Sequence, residues 1–310
     1  MQVEEELAKL SPEKDMLLTI GVFDGVHLGH KYLISRLLEQ TRQQNLLSGV
    51  VTFRQHPLEL LSPQTKLLML TDLTTRFNLL ANEGIERIIT LSFTRELAQL
   101  SARQFVSLLK KYLRMCGLVI GPDFALGRDR EGSPSTLRKL GQNMDFSLIV
   151  VPPVKVNGEV VSSTAIRNAL AQGDMRRVAS LIGRSFSLQG RVTTGQGRGL
   201  ELGFPTANLE IETRQAIPPN GIYATWTYID GKAYQSMANI GHRPTFGNNE
   251  RTVEIYILDY NGNLYGRQIR IDVVERLRDE KRFDTVEELK KQITEDVKQG
   301  KAILASRGSD

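Results

Sequence analysis

The sequence predicts an α/β domain built on a parallel sheet, followed by a domain of antiparallel strands that ends in one helix. Up to about residue 184, short β-branched runs alternate with stretches whose apolar residues recur at helical spacing. After residue 185, β-branched and aromatic segments follow one another with only turns between them. The chain has 310 residues, more than the ~100–200 of one typical domain. We therefore expect two domains, 1–184 and 185–310.

The first half contains five candidate strands, MLLTIGV, SGVVTF, ERIITLSF, GLVIGPDF and DFSLIVV. Amphipathic segments lie between several of them: HKYLISRLLEQ, TDLTTRFNLLANEG and SARQFVSLLKKYLRMC. Strands that are separated by helices favour a parallel sheet with both faces covered. This pattern is typical of Rossmann-like folds.

The second half contains the segments FSLQGRVTT, GIYATWTYID, KAYQSMANI, RTVEIYILDY and RQIRIDVVERL. The turn dipeptides Asp230-Gly231 and Asn261-Gly262 separate several of them. The pattern indicates an antiparallel barrel or sandwich. One helix, TVEELKKQITEDVKQGKAILA, is predicted to follow it.

The composition is typical of a soluble globular protein, with 40% hydrophobic and 24% charged residues. No apolar run approaches the ~18 residues of a membrane helix, and the acidic start, broken by Pro12, is unlike a signal peptide. Cys116 is the only cysteine, so no intrachain disulfide is possible. We expect a cytoplasmic protein that has no membrane partner.

The formal charge of +5 comes from a basic excess in the first half that is spread thinly along the chain. Such a distribution suits phosphate-bearing small molecules better than a nucleic-acid tract. We expect no nucleic-acid partner, and a monomer or a weak oligomer.

Two of the four histidines, His27 and His30, lie in GVFDGVHLGHKYLI, between a candidate strand and a candidate helix. In an α/β sheet, ligands bind beyond the carboxyl ends of the strands, where a helix start attracts phosphate. Gly21, Gly25 and Gly29 leave room for a phosphate to approach the backbone. The motif therefore predicts a nucleotide site, with the alternative that His27 caps the helix and His30 covers its first turn.

The stretch GVFDGVHLGH resembles the H-x-G-H signature of the nucleotidyltransferase superfamily, and in this form that of bacterial FAD synthetases. GPDFALG at 121–127 is similar to a nucleotide- and flavin-binding segment of that family. VSSTAIRNAL at 161–170 resembles its S-S-T-x-I-R motif, with Ser162, Ser163 and Thr164 as candidate helix caps.

The resemblance implies that His27, His30 and Arg167 act on ATP phosphates during transfer of an adenylyl group to FMN. The FMN phosphate is already an oxyanion, so this reaction needs no protein nucleophile. His56 is either a further phosphate contact or a structural loop residue. Further nucleotide-binding positions are Gly21, Phe23, Asp24, Gly29, His56, Asp123, Ser163 and Thr164.

The segment GQGRGLELGFPTANLEI at 195–211 predicts a mobile glycine-rich loop that enters a strand. Thr206 and Asn208 are two residues apart and share one strand face. A hydroxyl and an amide carbonyl are hard oxygen ligands that suit Mg²⁺. The loop lacks the lysine of a P-loop, and it contributes Gly197 and Gly203 as candidate nucleotide-binding positions.

LGFPTANL resembles the P-T-A-N motif of riboflavin kinases, in which the threonine and asparagine assist metal and nucleotide. The resemblance implies that Glu254, within TVEIYIL, is the base that takes a proton from the ribityl hydroxyl. Without the resemblance, Glu254 is as readily explained as part of an exposed strand face.

The chain is identified by these resemblances, which cover about residues 16 to 300, as a member of the bifunctional riboflavin kinase/FAD synthetase family. They imply a Rossmann-like nucleotidyltransferase domain and a β-barrel kinase domain, with riboflavin, FMN and ATP as partners, Mg²⁺ as cofactor and FAD as product. One rival is an adenylyltransferase with another acceptor, against which P-T-A-N and Glu254 argue. The other is a flavin- or nucleic-acid-binding regulator, against which the intact motif residues argue.

Overall fold

The chain divides after Val161 into two units, 1–161 and 162–310. The computed structural model describes residues 1–195, 199, 202–242 and 251–309. Among these residues, no helix is both long enough and apolar enough to cross a membrane.

The first unit is built on a five-stranded parallel sheet in the order β3-β2-β1-β4-β5. Its strands are β1 (Met16–Ile20), β2 (Leu47–Phe53), β3 (Arg87–Leu91), β4 (Met115–Ile120) and β5 (Ser147–Val150). All five coincide with predicted strands, so the predicted parallel sheet is confirmed. Apolar clusters pack on both faces of the sheet.

The helices of the first unit cover those two faces. They are α1 (Gln2–Ala8), α2 (Leu28–Gln44), α3 (Pro57–Leu61), α4 (Leu73–Asn82), α5 (Arg95–Gln99), α6 (Ala102–Leu113) and α7 (Pro134–Met144). The amphipathic segments predicted α2, α4 and α6, whose starts are capped by His27, Asp72 and Ser101. A short hairpin of β6 (Lys155–Val156) and β7 (Glu159–Val160) ends the unit.

The acidic start of the chain folds into α1, which the sequence analysis did not predict. Val3 and Leu7 are buried in the core beside the sheet. The Glu6 carboxylate accepts hydrogen bonds from the Ser92 backbone N–H at 2.9 Å and from its hydroxyl at 2.7 Å. These contacts attach α1 just beyond the end of β3.

The second unit is a closed antiparallel barrel in the order β10-β11-β12-β9-β8-β13. Its strands are β8 (Phe186–Thr193), β9 (Thr206–Ile211), β10 (Gly221–Ile229), β11 (Lys232–His242), β12 (Arg251–Ile257) and β13 (Gln268–Arg278). The sequence pattern allowed a barrel or a sandwich, and the pairing of β10 with both β11 and β13 closes the barrel. Asp230 and Gly231 have φ angles of 50° and 76°, as the predicted β10–β11 hairpin turn requires.

Side chains of the barrel strands alternate between its interior and its outer wall. The interior holds buried residues such as Leu209, Ala238, Val253 and Ile255. The predicted terminal helix, α10 (Val286–Arg307), packs on the outer wall, where Leu304 meets Ala224 and Met237 in an apolar cluster.

Two helices precede the barrel strands, α8 (Ser163–Ala171) and α9 (Met175–Ile182). They pack on each other, and α9 packs on β8 and β13. The buried side of α9 consists of Met175, Val178, Leu181 and Ile182. In this structure both helices therefore belong to the second unit, whereas the functional boundary at 184/185 stays a prediction.

Candidate functional sites

The turn from β1 into α2 places His27 and His30 side by side. The His27 Nδ1 accepts a hydrogen bond from the backbone N–H of His30 at 3.3 Å, and so caps the helix. The two rings stack with their centroids 3.6 Å apart. Because Nδ1 is the acceptor, neutral His27 carries its proton on Nε2.

The half-buried ring of His30 lies between His27 and Phe23, and the Phe23 ring centroid is 5.1 Å from that of His30. Its Nδ1 is buried and has no hydrogen-bond partner among the described residues. Burial lowers the pKa of the His30 imidazole well below its ordinary value, and the neighbouring His27 lowers it further. His30 is therefore neutral near pH 7 and meets an anion as a hydrogen-bonding group.

The turn that presents these rings has a strained backbone. Phe23 and Val26 adopt positive φ angles of 54° and 38°, although neither is a glycine. Both side chains are buried in the core, which holds the turn in this conformation. A Cβ at Gly29 would lie 3.1 Å from the His27 ring, and one at Gly21 would lie 3.2 Å from the Phe23 ring. These two glycines thus make room for the rings of their own motif.

Asp24 uses its buried carboxylate to fasten a neighbouring segment. Its oxygens accept hydrogen bonds from the backbone N–H groups of Leu70, at 2.9 and 3.1 Å, and of Thr71, at 3.2 Å. The Gly25 N–H donates to the Thr71 hydroxyl at 3.1 Å. The structure gives Asp24 a positioning role, and its predicted contact with nucleotide stays a prediction.

Arg76, on α4, is a residue of this site that the sequence analysis missed. Its buried guanidinium donates to the carbonyl of Val22 at 2.7 Å and to that of Phe53 at 2.8 Å. It therefore joins the carboxyl ends of β1 and β2. Burial lowers the pKa of Arg76, and the negative charges of Asp24 and Asp72 oppose this effect. The sequence does contain one signal for Arg76: this arginine takes a position within TDLTTRFNLL where helical spacing calls for an apolar residue.

His56 and Asp123 follow the carboxyl ends of β2 and β4, so they lie at the same edge of the sheet as the histidine pair. His56 caps α3, and its Nδ1 accepts from the Leu58 N–H at 3.1 Å. Asp123 is exposed, and its backbone carbonyl accepts from Arg130 at 3.2 Å. The cap supports the structural interpretation of His56, while a phosphate contact stays a prediction.

The S-S-T-A-I-R segment opens α8, as predicted. The Ser162 hydroxyl caps the helix by accepting from the Ala165 N–H at 3.1 Å. Ser163 and Thr164 form the first turn, and Arg167 follows in the next, half-buried. The residues lie in the second unit, and their predicted nucleotide contacts remain predictions.

The second candidate site lies on the outer wall of the barrel, where strand pairing sets three polar residues in a row. Asn208 of β9 pairs with Glu254 of β12, and Glu254 pairs with Asn239 of β11. Paired residues share a face, so this polar row points outward together. Thr206 pairs with Tyr256 in the next outward row. The structure thus brings the predicted Thr206, Asn208 and Glu254 together and adds Asn239, which the sequence analysis missed.

A cavity of about 290 Å³ lies over this polar row. Its polar side holds Thr206, Asn239 and Glu254. Its other walls include Ile222 and four apolar side chains around the start of α10, namely Phe283, Leu289, Ile293 and Val297. Ile222 and these four side chains form an apolar wall of the cavity, whose lining also includes the charged residues Arg278, Glu280, Lys281 and Asp296.

A buried ion pair fixes α10 as a wall of this cavity. The Arg278 guanidinium, at the end of β13, donates to both oxygens of Asp296, at distances between 2.7 and 3.1 Å. Gln292 adds a hydrogen bond to Asp296 at 3.0 Å. A bidentate arginine–carboxylate contact restrains both partners in orientation as well as in distance.

Gly195 and Gly199, two described residues of the glycine-rich segment before β9, lie directly against the predicted metal-binding residues. A Cβ at Gly195 would overlap the Asn208 amide, and one at Gly199 would lie 3.1 Å from the Thr206 hydroxyl. Gly203 has a φ angle of 87°, a conformation that favours glycine. Gly197, and with it the predicted mobile centre of the loop, lies outside the described residues.

A second cavity of about 410 Å³ also reaches Thr206. Its lining includes Pro205, Ile257, Tyr260 and Tyr265. Thr206 therefore stands between two cavities, one over the outer wall and one beside the connection from β12 to β13.

The oxygen donors of Thr206 and Asn208 fit Mg²⁺, which takes few protein ligands together with substrate phosphates. No group of three or more histidine, cysteine, aspartate or glutamate side chains in the described ranges is suited to hold a metal ion. Thr206 and Asn208 could thus hold a metal that is shared with a nucleotide, and their role as metal ligands stays a prediction.

Comparison with known proteins finds a family match for each half of the chain. The sequence model of FAD synthetases matches residues 9–165, and that of riboflavin kinases matches residues 182–304. The bifunctional riboflavin kinase/FMN adenylyltransferase of Pseudomonas fluorescens is 38% identical over 98% of both chains, and that of Escherichia coli K12 is 38% identical over 92% of both.

Among solved structures, a crystal structure described as a macrolide-efflux protein from Streptococcus pneumoniae shares the fold. Its TM-score is 0.89 and its sequence identity 29%, with 97% of both chains covered. The two relatives from Pseudomonas and Escherichia are similar over nearly their whole length, and each half of the chain matches one of the two family models. Both findings confirm the predicted family. The chain belongs to the bifunctional riboflavin kinase/FMN adenylyltransferases, enzymes of flavin cofactor biosynthesis.

Proposed function

We propose that the chain phosphorylates riboflavin to FMN at the outer wall of the barrel and adenylylates FMN to FAD at the β1–α2 turn, using ATP in both reactions. The observation that carries the first assignment is the outward row in which Glu254 lies beside Asn208, at a cavity that is lined by Glu254 and by an apolar wall. The observation that carries the second is the stacked histidine pair at a helix start.

In the kinase reaction, Glu254 acts as the general base. It takes the proton of the terminal ribityl hydroxyl while that oxygen attacks the γ-phosphorus of ATP, and ADP leaves. The apolar side of the cavity, formed by Ile222 and the start of α10, accepts the flavin ring system. This orientation brings the ribityl chain toward Glu254, since strand pairing sets Ile222, Asn239 and Glu254 in one row.

Thr206 and Asn208 hold Mg²⁺ through their side-chain oxygens in this proposal. When bound, the metal neutralises charge on the ATP phosphates. Gly195 and Gly199 lie so close to these two side chains that a Cβ at either position would crowd them. The second cavity, which also reaches Thr206, takes the remainder of the nucleotide.

In the adenylyl transfer, an oxygen of the FMN phosphate attacks the α-phosphorus of ATP, and pyrophosphate leaves. No proton has to be removed from the phosphate, so the protein supplies positioning and charge stabilisation. His27 and His30 contribute hydrogen-bonding ring nitrogens at the start of α2, and Arg167 contributes a fixed positive charge. Ser163, Thr164, His56 and Asp123 are proposed to contact the nucleotide around them.

The test is to supply riboflavin or FMN with Mg-ATP and to separate the flavins. Glu254→Gln should lower FMN formation by about 10²–10⁴-fold and leave the conversion of supplied FMN to FAD intact. His30→Ala should do the reverse, so that FMN accumulates. Excess EDTA should stop both reactions.

Two matched variants serve as controls. Glu210→Gln removes an exposed carboxylate two residues from Asn208 on the same strand face, and His242→Ala removes an exposed histidine of β11. Both should keep both activities. Full FMN formation by Glu254→Gln would show that Glu254 is not the general base. Full FAD formation by His30→Ala would show that adenylyl transfer does not depend on the histidine pair.

A further inference from the structure

Asn239 carries a polar atom that the protein itself leaves without a partner. Its Oδ1 is buried and accepts no hydrogen bond among the described residues. Asn239 is one of the residues that line the cavity, and it is the cross-strand partner of Glu254. Buried polar groups in folded proteins are nearly always hydrogen-bonded, so an orphaned acceptor on a cavity wall indicates a ligand with a donor.

The position of Asn239 in the polar row separates it from the metal. Glu254 lies between Asn208 and Asn239, which are two strand spacings apart, or about 10 Å. A metal held by Thr206 and Asn208 therefore lies on the far side of Glu254 from Asn239. Phosphate oxygens that coordinate Mg²⁺ are acceptors, so they provide no donor for Oδ1.

The next residue in the row identifies the part of the flavin that reaches Asn239. Asn239 pairs on its other side with Ile222 of β10, which belongs to the apolar wall of the cavity. Asn239 thus stands between the wall that accepts the flavin ring and the base that acts on the end of the ribityl chain. The groups of riboflavin that fall between those two points are the inner hydroxyls of the chain. A hydroxyl donates as well as accepts, so it satisfies an amide oxygen.

We propose that Asn239 is a substrate-binding residue of the kinase reaction, and that its side-chain oxygen accepts a hydrogen bond from an inner ribityl hydroxyl. The inference rests on the proposed kinase site. In this proposal Asn239 selects flavins that carry a polyol chain. Its hydrogen bond to the inner hydroxyl also aligns the terminal hydroxyl with Glu254.

The test compares riboflavin with 7,8-dimethyl-10-(5-hydroxypentyl)isoalloxazine, which keeps the terminal hydroxyl and lacks the inner ones. The full-length wild type should prefer riboflavin in kcat/KM by about tenfold or more, the ratio expected for one buried hydrogen bond of about 1.4 kcal/mol. Asn239→Leu, which keeps the size of the side chain, should lose about tenfold on riboflavin and little on the analogue. Its KM for ATP and its conversion of supplied FMN to FAD should stay unchanged.

Gln235→Leu is the matched control, because Gln235 is an amide on the same face of β11 outside the lining of the cavity. It should keep the preference of the wild type. Equal losses of Asn239→Leu on both substrates, or no loss on either, would overturn the proposal. A wild-type enzyme that does not distinguish the two flavins would overturn it without any variant, so the test holds even if Asn239→Leu fails to fold. Glu254→Gln distinguishes a failure of the proposed kinase site from a failure of the role of Asn239. If Glu254→Gln still phosphorylates riboflavin, the kinase site is misplaced. If it does not, a negative result with Asn239→Leu contradicts only the role of Asn239.

Discussion

His30 shows how a single residue links the geometry of a site to the pH dependence of stability. Its ring packs against His27 and Phe23, and burial lowers the pKa of the imidazole. In the unfolded chain the pKa returns to about 6.5. As the pH falls below that value, the unfolded chain binds a proton that the folded protein does not bind, and the folded state loses stability.

We predict that His30→Gln reduces the loss of stability in acid. The contribution of His30 is fully present above about pH 6.5 and is lost below it, with a slope of at most about 1.4 kcal/mol per pH unit. Thermal denaturation of both proteins between about pH 5 and pH 8 measures this effect. The Tm of the wild type should fall more steeply toward acid pH, and parallel curves would contradict the prediction.

Gly195 is the second residue whose surroundings lead to a measurable effect. A Cβ at this position would overlap the Asn208 amide, which is itself buried. Gly195→Ala should therefore displace Asn208 and lower riboflavin phosphorylation by about tenfold or more, the effect of a small misplacement at a reacting centre. Conversion of supplied FMN to FAD by the same protein is the internal control. Unchanged phosphorylation would show that Asn208 moves without consequence.

At the scale of single elements, α1 is a packed helix of the first unit that its acidic sequence did not predict. Leu7 is fully buried on its inner side, and Glu6 is bonded to Ser92. Leu10, just beyond the helix, is 36% exposed. The pair offers a matched comparison within three residues of sequence.

Leu7→Ala should lower the free energy of unfolding by about 2–4 kcal/mol, because it leaves a cavity in the core. Leu10→Ala should change it by less than about 0.5 kcal/mol. Urea denaturation monitored by circular dichroism measures both values. Equal effects would mean that α1 is not packed as described.

At the scale of the whole molecule, the two units raise the question of where the chain is best divided. The helices α8 and α9 pack with the barrel, and four apolar side chains of α9 are buried. A fragment of residues 162–310 keeps these contacts, whereas a fragment of residues 185–310 exposes their partners on β8 and β13.

We predict that fragment 162–310 folds, phosphorylates riboflavin and melts at a higher temperature than fragment 185–310. The reason is the loss of buried apolar area, at about 25 cal/mol per Å². Scanning calorimetry of the two fragments decides the point. Equal melting temperatures would favour the boundary at 184/185 for folding as well as for function.

Much of this architecture was predictable because hydrophobic periodicity differs between the halves. The five parallel strands and the amphipathic helices α2, α4 and α6 follow from spacing alone. The choice between barrel and sandwich did not, since closure depends on the pairing of β10 with β13, far apart in sequence. The short helix α1 was missed because its two buried residues are too few to establish a period.

Motif positions were predictable where the motif and the contact coincide, as for the cap formed by His27 and the face shared by Thr206 and Asn208. Arg76 and Asn239 were not predictable in the same way. Arg76 donates hydrogen bonds to the carbonyls of Val22 and Phe53, which are distant in sequence. Asn239 becomes a candidate site residue only through the strand register that sets it beside Glu254. Such contacts depend on tertiary structure, which local pattern does not encode.

The alternation of the barrel strands also bears on how this enzyme can evolve. The residues proposed to face substrate, 208, 239 and 254, alternate with the interior residues 209, 240 and 253. A substitution at 208, 239 or 254 therefore changes recognition without opening a hole in the interior, and one at 209, 240 or 253 changes stability at a position that lines neither cavity. Selection for a new acceptor can thus proceed along every second position of three strands, while the remaining positions preserve the scaffold.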